Sequence, residues 1–342
     1  MKALMLYGAN DMKIVEREMP VCKPADVLIK VKSCGICHTD DSLLKGLFSF
    51  IEYPIVIGHE IGGVVEDFGS EVTHVCKGDT VTVNTIGSCG NCRYCHIGEY
   101  HRCKKSRNVG INLEGGFQEY LALPASYVYK MPDDTSFEKA AMVEPAANAY
   151  GIVDQAQPKI GDYVVVIGPG AIGLMTVNAS KLRQPGFLIA VGTRQNRLTL
   201  AEKLGATHTI NIHECDPYEK IMSVTGGKGA DVVHWCGGDR EAWDLSRDVL
   251  GTYGKLLIEA VPSSRESEWP VRVEDFIGKM NTYIGARGYT PGQYEETIEL
   301  IRSGFLDVDS VITHRFSLED YEEAFAVSRE RRGGAVKVVI NM

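Results

Sequence analysis

The chain of 342 residues has no excess of positive charge: 36 lysines and arginines face 45 aspartates and glutamates, for a net charge of −9. A nucleic-acid binder carries a basic stripe, so that class of partner is excluded as an expectation. Long hydrophobic runs are also lacking. The longest near-apolar stretch, residues 163–175, is interrupted by glycines and a proline. It is too short to span a bilayer, so no membrane partner is expected. Residues 1–8 carry only a brief apolar stretch before Asp11 and Lys13. That is unlike a secretory leader, and the expected location is cytoplasmic. No internal repeat or low-complexity segment is present. With 44% hydrophobic and 24% charged residues, the composition excludes a disordered chain. The length exceeds what one core usually holds, so two domains are expected.

What the chain does have is cysteine, ten in all. In a reducing compartment clustered cysteines serve metals more often than disulfides. Cys89, Cys92, Cys95 and Cys103 fall within fifteen residues, Cys34 and Cys37 lie close together, and Cys22, Cys76, Cys215 and Cys236 are scattered. The scattered four read as ordinary packed thiols.

The texture changes along the chain. Residues 1–130 give short strand-like runs, such as 27–32 and 80–83, separated by Gly, Pro, Asp and Asn. No helix longer than about ten residues is expected before Ser136. From about residue 160 strands alternate with helices: strands over 163–167, 188–191, 231–235 and 255–260, helices over 171–182 and 197–204. That alternation predicts a parallel sheet with helices on both faces. Helices over 294–302 and 320–329 and a strand over 334–340 close the chain. The arrangement implies a β-rich domain, an inserted doubly wound domain, and a return to the first.

Residues 163–173 read Tyr-Val-Val-Val-Ile-Gly-Pro-Gly-Ala-Ile-Gly, a G-x-G-x-x-G turn between a strand and a helix. Gly168 permits the tight turn, Gly170 lets backbone approach a pyrophosphate, and Gly173 lets helix pack on strand. Ala171 and Ile172 open the helix, whose N-terminus favours an anion. The alternative is a glycine-rich turn without a ligand. At the end of the second strand the chain reads Gly192-Thr193-Arg194-Gln195-Asn196-Arg197, with no carboxylate between Ile189 and Leu198. An acidic residue there would bind the ribose 2′-hydroxyl of NAD. Gly192 leaves room, Thr193 offers a hydroxyl, and Arg194 and Arg197 offer cations for a 2′-phosphate. NADP(H) is therefore expected in preference to NAD(H), the alternative being that both arginines are solvated. Arg287, after an expected strand over 282–286, touches cofactor phosphate or substrate, or forms a structural ion pair.

Four thiolates in the 89–103 loop can close a tetrahedral Zn²⁺ site with no open position, a structural site. An iron–sulfur cluster is the alternative for the same sulfurs. His96 and His101 are expected to be exposed and not ligands. A second constellation combines Cys-Gly-Ile-Cys-His-Thr-Asp-Asp at 34–41, Gly-His-Glu-Ile-Gly-Gly at 58–63 and Met-Val-Glu-Pro at 142–145. Cys37, His59 and a carboxylate would give three protein ligands and one open vertex, the catalytic zinc pattern. Taken alone, the pair Cys37 and His59 reads equally as a buried thiol and a core histidine.

In order and spacing these motifs resemble the zinc-dependent medium-chain dehydrogenase/reductase (alcohol dehydrogenase) family, over essentially the whole chain. The Val-Glu-Pro segment resembles the sorbitol and threonine dehydrogenase branch, and the Gly-Thr-Arg segment at 192–194 resembles that of NADP-preferring secondary-alcohol dehydrogenases. Cys-His-Thr-Asp also resembles the yeast-type and cinnamyl branches. The resemblance implies an α/β protein with a GroES-like β-rich catalytic domain over 1–149. A Rossmann doubly wound parallel-sheet domain would be inserted over 150–286, and 287–342 would complete the catalytic domain. It implies a catalytic zinc on Cys37, His59 and Glu144, with Glu60 beside it or exchanging onto it. The structural zinc would sit on Cys89, Cys92, Cys95 and Cys103. Thr39 matches the family's relay hydroxyl, His38 would carry the proton onward, and Asp40 would orient His59. Phe48, Phe50 and Phe117 would line the substrate pocket or sit in the core. Family members are dimers or tetramers, which implies a homo-oligomer with 282–286 at the dimer edge.

The expected function is zinc-dependent hydride transfer between NADP(H) and a secondary alcohol, polyol or sugar-type hydroxyl, or the ketone in reverse. The alternatives are an NADPH-dependent aldehyde reductase of the cinnamyl type and a non-catalytic NADP(H)-binding protein. A zinc-free enone reductase would have no need of Cys37, His59 and Glu144 together.

Overall fold

The computed structural model describes residues 1–260 and 268–342. They form two compact units. The first comprises Met1–Pro145, Tyr289–Gly304 and Val308–Met342, the second Ala146–Gly288 and Phe305–Asp307. The sequence boundaries after 149 and 286 differ from these by a few residues. Phe305–Asp307, expected in the C-terminal return, goes with the second unit, where Asn178 Nδ2 donates to the Asp307 carbonyl at 3.0 Å.

The first unit is built on a long central strand, Asp26–Ile36, rich in β-branched residues, in which Val27, Leu28, Ile29 and Val31 are all buried. Glu60–Phe68 pairs with it antiparallel, in a register that sets Gly35 opposite Glu60. The chain's last strand, Lys337–Asn341, pairs on its other side, with Val338 opposite Ile36. Ile312–Ser317, Thr80–Val83, Val128–Lys130 and Tyr120–Pro124 complete this seven-stranded sheet. A three-stranded sheet of Asp11–Glu16, Lys2–Gly8 and Ile55–Val56 packs into the same core, around Leu4, Leu6, Ile29, Ile57, Ile61 and Phe117. The closing strand starts later than its expected position at 334. Gly333 and Gly334 sit at φ +59° and +77°, a left-handed turn that no strand accommodates.

The second unit is a six-stranded sheet in which every pairing is parallel. Its order is His208–Asn211, Phe187–Gly192, Tyr163–Ile167, Ala230–Trp235, Leu250–Ile258, Thr282–Gly285. In chain order that is 3-2-1-4-5-6, the doubly wound dinucleotide-binding topology. The strand order reverses between Tyr163–Ile167 and Ala230–Trp235, which run parallel, and ligands of such sheets bind outside the carboxyl ends at that switch point. Val165, Ile167, Ile189, Val191, Val233, Trp235 and Leu256 form its core.

Candidate functional site

The central strand of the first unit ends at Ile36, and the helix His38–Leu44 begins immediately after Cys37. Asp40, inside that helix, turns its carboxylate back: Oδ2 accepts the Cys37 backbone N–H at 2.8 Å. His59 directly precedes Glu60–Phe68, so the antiparallel register carries it to the same corner. Gly58 makes that approach possible. It lies at φ +97°, and a Cβ there would come within 2.8 Å of Phe117 and 2.9 Å of Cys34 Sγ.

One ligand atom each of Cys37, His59 and Glu60 lies within 4.8 Å of the others. His59 Nδ1 is 3.3 Å from Asp40 Oδ1. Burial opposes charge on the imidazole, but the Asp40 carboxylate and the Cys37 sulfur outweigh it and hold its pKa well above the usual range. Glu60 Oε1 accepts Lys337 Nζ at 2.5 Å, while its buried Oε2 has no hydrogen-bond partner among the described residues. A Cβ at Gly35 would fall 1.9 Å from that Oε2, so only glycine leaves the oxygen its place. Lys337 is buried too; burial lowers its pKa, but Glu60 outweighs this and raises it. A cysteine sulfur, an imidazole facing a carboxylate and an unsatisfied buried carboxylate oxygen form a donor set that fits Zn²⁺.

Glu144 stands apart from this trio. It sits in the first turn of the helix Val143–Ala156, and its Oε1 lies 3.3 Å from the Tyr289 hydroxyl and 3.5 Å from Thr85 Oγ1. Burial pushes its pKa up to about 7, against His59 and together with Glu60. The structure therefore gathers Glu60, rather than Glu144, with Cys37 and His59. Thr39 Oγ1 lies 3.7 Å from Cys37 Sγ, and His38 is exposed at the helix start. Phe117 is a core residue, fully buried and packed on Phe325 with ring centroids 5.7 Å apart. Phe48 is half-buried and Phe50 exposed, their rings 5.5 Å apart. Nothing in local spacing signals Lys337 or Tyr289; each reaches the corner from the far end of the chain.

The sulfurs of Cys89, Cys92, Cys95 and Cys103 also converge within 4.8 Å. Cys92 and Cys95 are 3.5 Å apart and Cys89 and Cys95 3.9 Å. Four sulfurs at the Zn–S distance around one tetrahedral centre stand about 3.8 Å apart, so this set fits zinc as well. No cysteine is paired in a disulfide. His96 is exposed, but His101, expected to be exposed, is not. Its side chain is 10% accessible, with Nε2 3.2 Å from Glu99.

In the second unit Gly168 turns at φ +88°, and a Cβ there would lie 2.7 Å from the Gly237 carbonyl oxygen. A Cβ on Gly173 would meet the Gly168 carbonyl at 2.3 Å. Gly170 caps the helix Ala171–Lys181 and faces open space; a Cβ there would meet only Arg197 Nη1, at 3.9 Å. Ala171 and Ile172 are half-buried in its first turn. Gly192 abuts the Pro169 ring, 2.7 Å from an added Cβ. Thr193 is exposed and Arg194 half-buried at the start of the helix Gln195–Leu204. Arg194 Nη1 is buried with no hydrogen-bond partner among the described residues. Arg197 is buried and lies over the glycine turn, not solvated. Arg287 is exposed beyond Thr282–Gly285. Among the described residues no helix is long and apolar enough to cross a membrane.

Comparison with known proteins gives matches along the chain. The alcohol dehydrogenase GroES-like domain matches residues 23–133, and the zinc-binding dehydrogenase domain matches 171–303. An L-threonine 3-dehydrogenase of Bacillus velezensis is 34% identical over 97% of this chain and 96% of its own length. A sorbitol dehydrogenase of Bacillus subtilis is 31% identical over 99% and 97%. A solved structure described as a zinc-binding dehydrogenase from Sinorhizobium meliloti, bound to NADP, superposes with a TM-score of 0.93. Its sequence identity is 29%, covering 100% of this chain and 99% of that one.

Proposed function

This chain belongs to the zinc-dependent alcohol dehydrogenase family of medium-chain dehydrogenase/reductases, and from that premise we propose that it transfers a hydride between NADP(H) and a secondary alcohol, polyol or sugar-type hydroxyl. The observation that carries the zinc part is the corner of Cys37, His59 and Glu60, with a buried unsatisfied Glu60 oxygen. Zinc bound there would act as a Lewis acid on the substrate oxygen and ease loss of its proton.

The residues around it divide the remaining work. Asp40 fixes the His59 ring by facing Nδ1. Thr39, half-buried beside Cys37, accepts the hydroxyl proton's hydrogen bond, and exposed His38 passes the proton to solvent. Lys337 holds Glu60 by one oxygen and leaves the other for the ion. Glu144, held by Tyr289, is a reserve carboxylate for the same ion. The Cys89, Cys92, Cys95 and Cys103 lobe takes a structural zinc.

The NADP(H) preference is supported by Arg194, whose buried guanidinium nitrogen awaits a partner, and by the absence of a carboxylate at that strand end. A 2′-phosphate would supply a charge-assisted acceptor for it. Gly168, Gly170, Ala171, Ile172, Gly173, Gly192, Thr193 and Arg197 would line the rest of the cofactor, with Arg287 nearby. The branch of secondary alcohols and polyols is supported by the threonine and sorbitol dehydrogenases among the relatives. A homodimer or homotetramer is supported by the edge position of Thr282–Gly285 and by exposed Val273, Phe276, Ile277 and Met280 before it. The setting we infer is cytoplasmic.

The test is kcat/KM for NADP⁺ and NAD⁺ across a panel of secondary alcohols, polyols and sugars. A preference for NADP⁺ with turnover of a secondary hydroxyl is expected. A strong NAD⁺ preference rejects the cofactor assignment, and turnover of primary alcohols alone rejects the substrate class.

A further inference from the structure

A buried polar cluster in the second unit has no part in the reaction proposed above. Glu259 follows the strand Leu250–Ile258, and its side chain is 1% exposed; that of His234 is fully buried. Three donors converge on the carboxylate. His234 Nδ1 lies 2.6 Å from Oε1. Cys236 Sγ donates to Oε2 at 3.1 Å and Thr176 Oγ1 at 3.3 Å.

Each donor belongs to an element that frames the glycine turn. Thr176 lies in the helix Ala171–Lys181 that leaves the turn. His234 lies near the end of the neighbouring strand Ala230–Trp235, and Cys236 directly follows it. The Cys236 backbone N–H donates to the Ile167 carbonyl at 2.9 Å, one residue before the turn. Gly237 and Cys236 then press on the turn itself. A Cβ on Gly168 would lie 2.7 Å from the Gly237 oxygen, and one on Gly173 3.3 Å from Cys236 Cβ. Glu259 thus ties three separate elements at the carboxyl end of the sheet, where its ligands bind. Apolar side chains of similar volume would hold the fold as well as a buried ionic pair, or better. What a fully bonded carboxylate adds is direction: it fixes three donors at set lengths in a medium of low dielectric.

We propose that Glu259 is a positioning residue of the dinucleotide turn. Through Cys236 and Thr176 it sets the spacing between the Gly168–Gly173 turn and the Cys236–Gly238 segment facing it. It thereby controls affinity for the pyrophosphate of a dinucleotide. The inference rests on the dinucleotide reading and assigns the cluster no contact with the cofactor.

The experiment measures dissociation constants of NADPH and NADH by cofactor fluorescence, with thermal melting alongside. Glu259→Gln keeps an acceptor and loses the charge; it should bind within about threefold of the parent. Glu259→Leu with His234→Leu removes that pair together and leaves only the Thr176 hydroxyl and the Cys236 thiol without their acceptor; it should melt cooperatively and should bind both nucleotides about tenfold more weakly, by the same factor. An effect confined to the 2′-phosphate would instead change the NADPH/NADH ratio. Thr176→Val with Cys236→Ala cuts only the two links to Oε2. It should show the same loss, and it keeps the test open if the double leucine variant fails to fold. Variants that bind as tightly as the parent, or a Gln variant no better than the double leucine variant, overturn the proposal. A parent protein that binds neither nucleotide brings down the dinucleotide reading and this inference with it.

Discussion

Lys337 Nζ and Glu60 Oε1 lie 2.5 Å apart inside the first unit, with the two side chains 3% and 1% exposed. The lysine stands at the start of the chain's last strand and also donates to the Ile36 carbonyl at 3.2 Å, one residue before Cys37. Removing one partner of such a pair strands a buried charge, which typically costs about 3–5 kcal/mol, whereas replacing both with apolar groups costs much less. Lys337→Met should therefore be strongly destabilised in denaturant unfolding, and Lys337→Met with Glu60→Leu much less so. Equal destabilisation of the two would contradict the pairing.

Asp40 serves the His59 ring and the Cys37 N–H together. Carboxylates that orient a metal-bound histidine are worth about 10–100-fold in metal affinity. Asp40→Asn should weaken zinc binding by that factor in a competition with a chromophoric chelator, while melting of the metal-free protein changes little. Unchanged affinity would mean that Asp40 only caps its helix.

On the proposed NADP(H) assignment, the buried Arg194 Nη1 would donate to a 2′-phosphate. A hydrogen bond to a charged group contributes about 1.5–3 kcal/mol. Arg194→Ala should therefore lower the NADPH/NADH ratio of kcat/KM by about 10–100-fold, with the loss falling on NADPH. A proportional loss for both cofactors would place Arg194 elsewhere.

The four-cysteine lobe has little apolar core of its own; Cys95 and Cys103 are its buried residues between 89 and 105. The parent should hold two zincs per chain and Cys92→Ser one, by elemental analysis. Protease cleavage within 89–107 should follow, because a metal-closed loop that loses its metal loses its order. Two zincs in the variant would refute the structural site.

Glu138 ties the helix Phe137–Ala141 to the C-terminal strands: it accepts from Arg315 Nε at 2.9 Å and Asn341 Nδ2 at 3.0 Å. Burial raises its pKa, but Arg315 and Asn341 outweigh this and hold it below the usual carboxylate range. A depressed carboxylate stabilises the fold above its unfolded pKa and loses that contribution as pH falls through the folded value. The stability gap between the parent and Glu138→Gln should be present at neutral pH and shrink on acidification below about 4.5. Arg315 is half-exposed, so the gap should be about 1 kcal/mol or less. A gap that widens in acid would reverse the sign and refute the assignment.

Legibility in the sequence followed the range of the interactions. The strand Tyr163–Ile167 and the glycine turn after it were readable because strand, turn and helix are contiguous in the chain, with Gly173 packed directly on the Gly168 carbonyl. The four-cysteine lobe was readable for the same reason. The four-residue strand His208–Asn211 and the charged helix Arg240–Asp248 escaped. The first is too short to show a period, and the second is shaped by packing of Trp243 on Trp235 and Trp269. Phe117 could be pocket or core by type alone; its contact with Phe325, more than two hundred residues on, decides it. Lys337, Tyr289 and the grouping of Glu60 ahead of Glu144 depend on how the C-terminal return folds back into the first unit. No local spacing encodes that.

The most direct measurement is NADP⁺ reduction with the best secondary alcohol or polyol of the panel, on protein stripped with chelator and then titrated with zinc. Activity should vanish with the metal and return as zinc is restored, with a faster rate for NADP⁺ than for NAD⁺. Full turnover by protein shown to hold no zinc would contradict the assignment of Cys37, His59 and Glu60 to a catalytic metal.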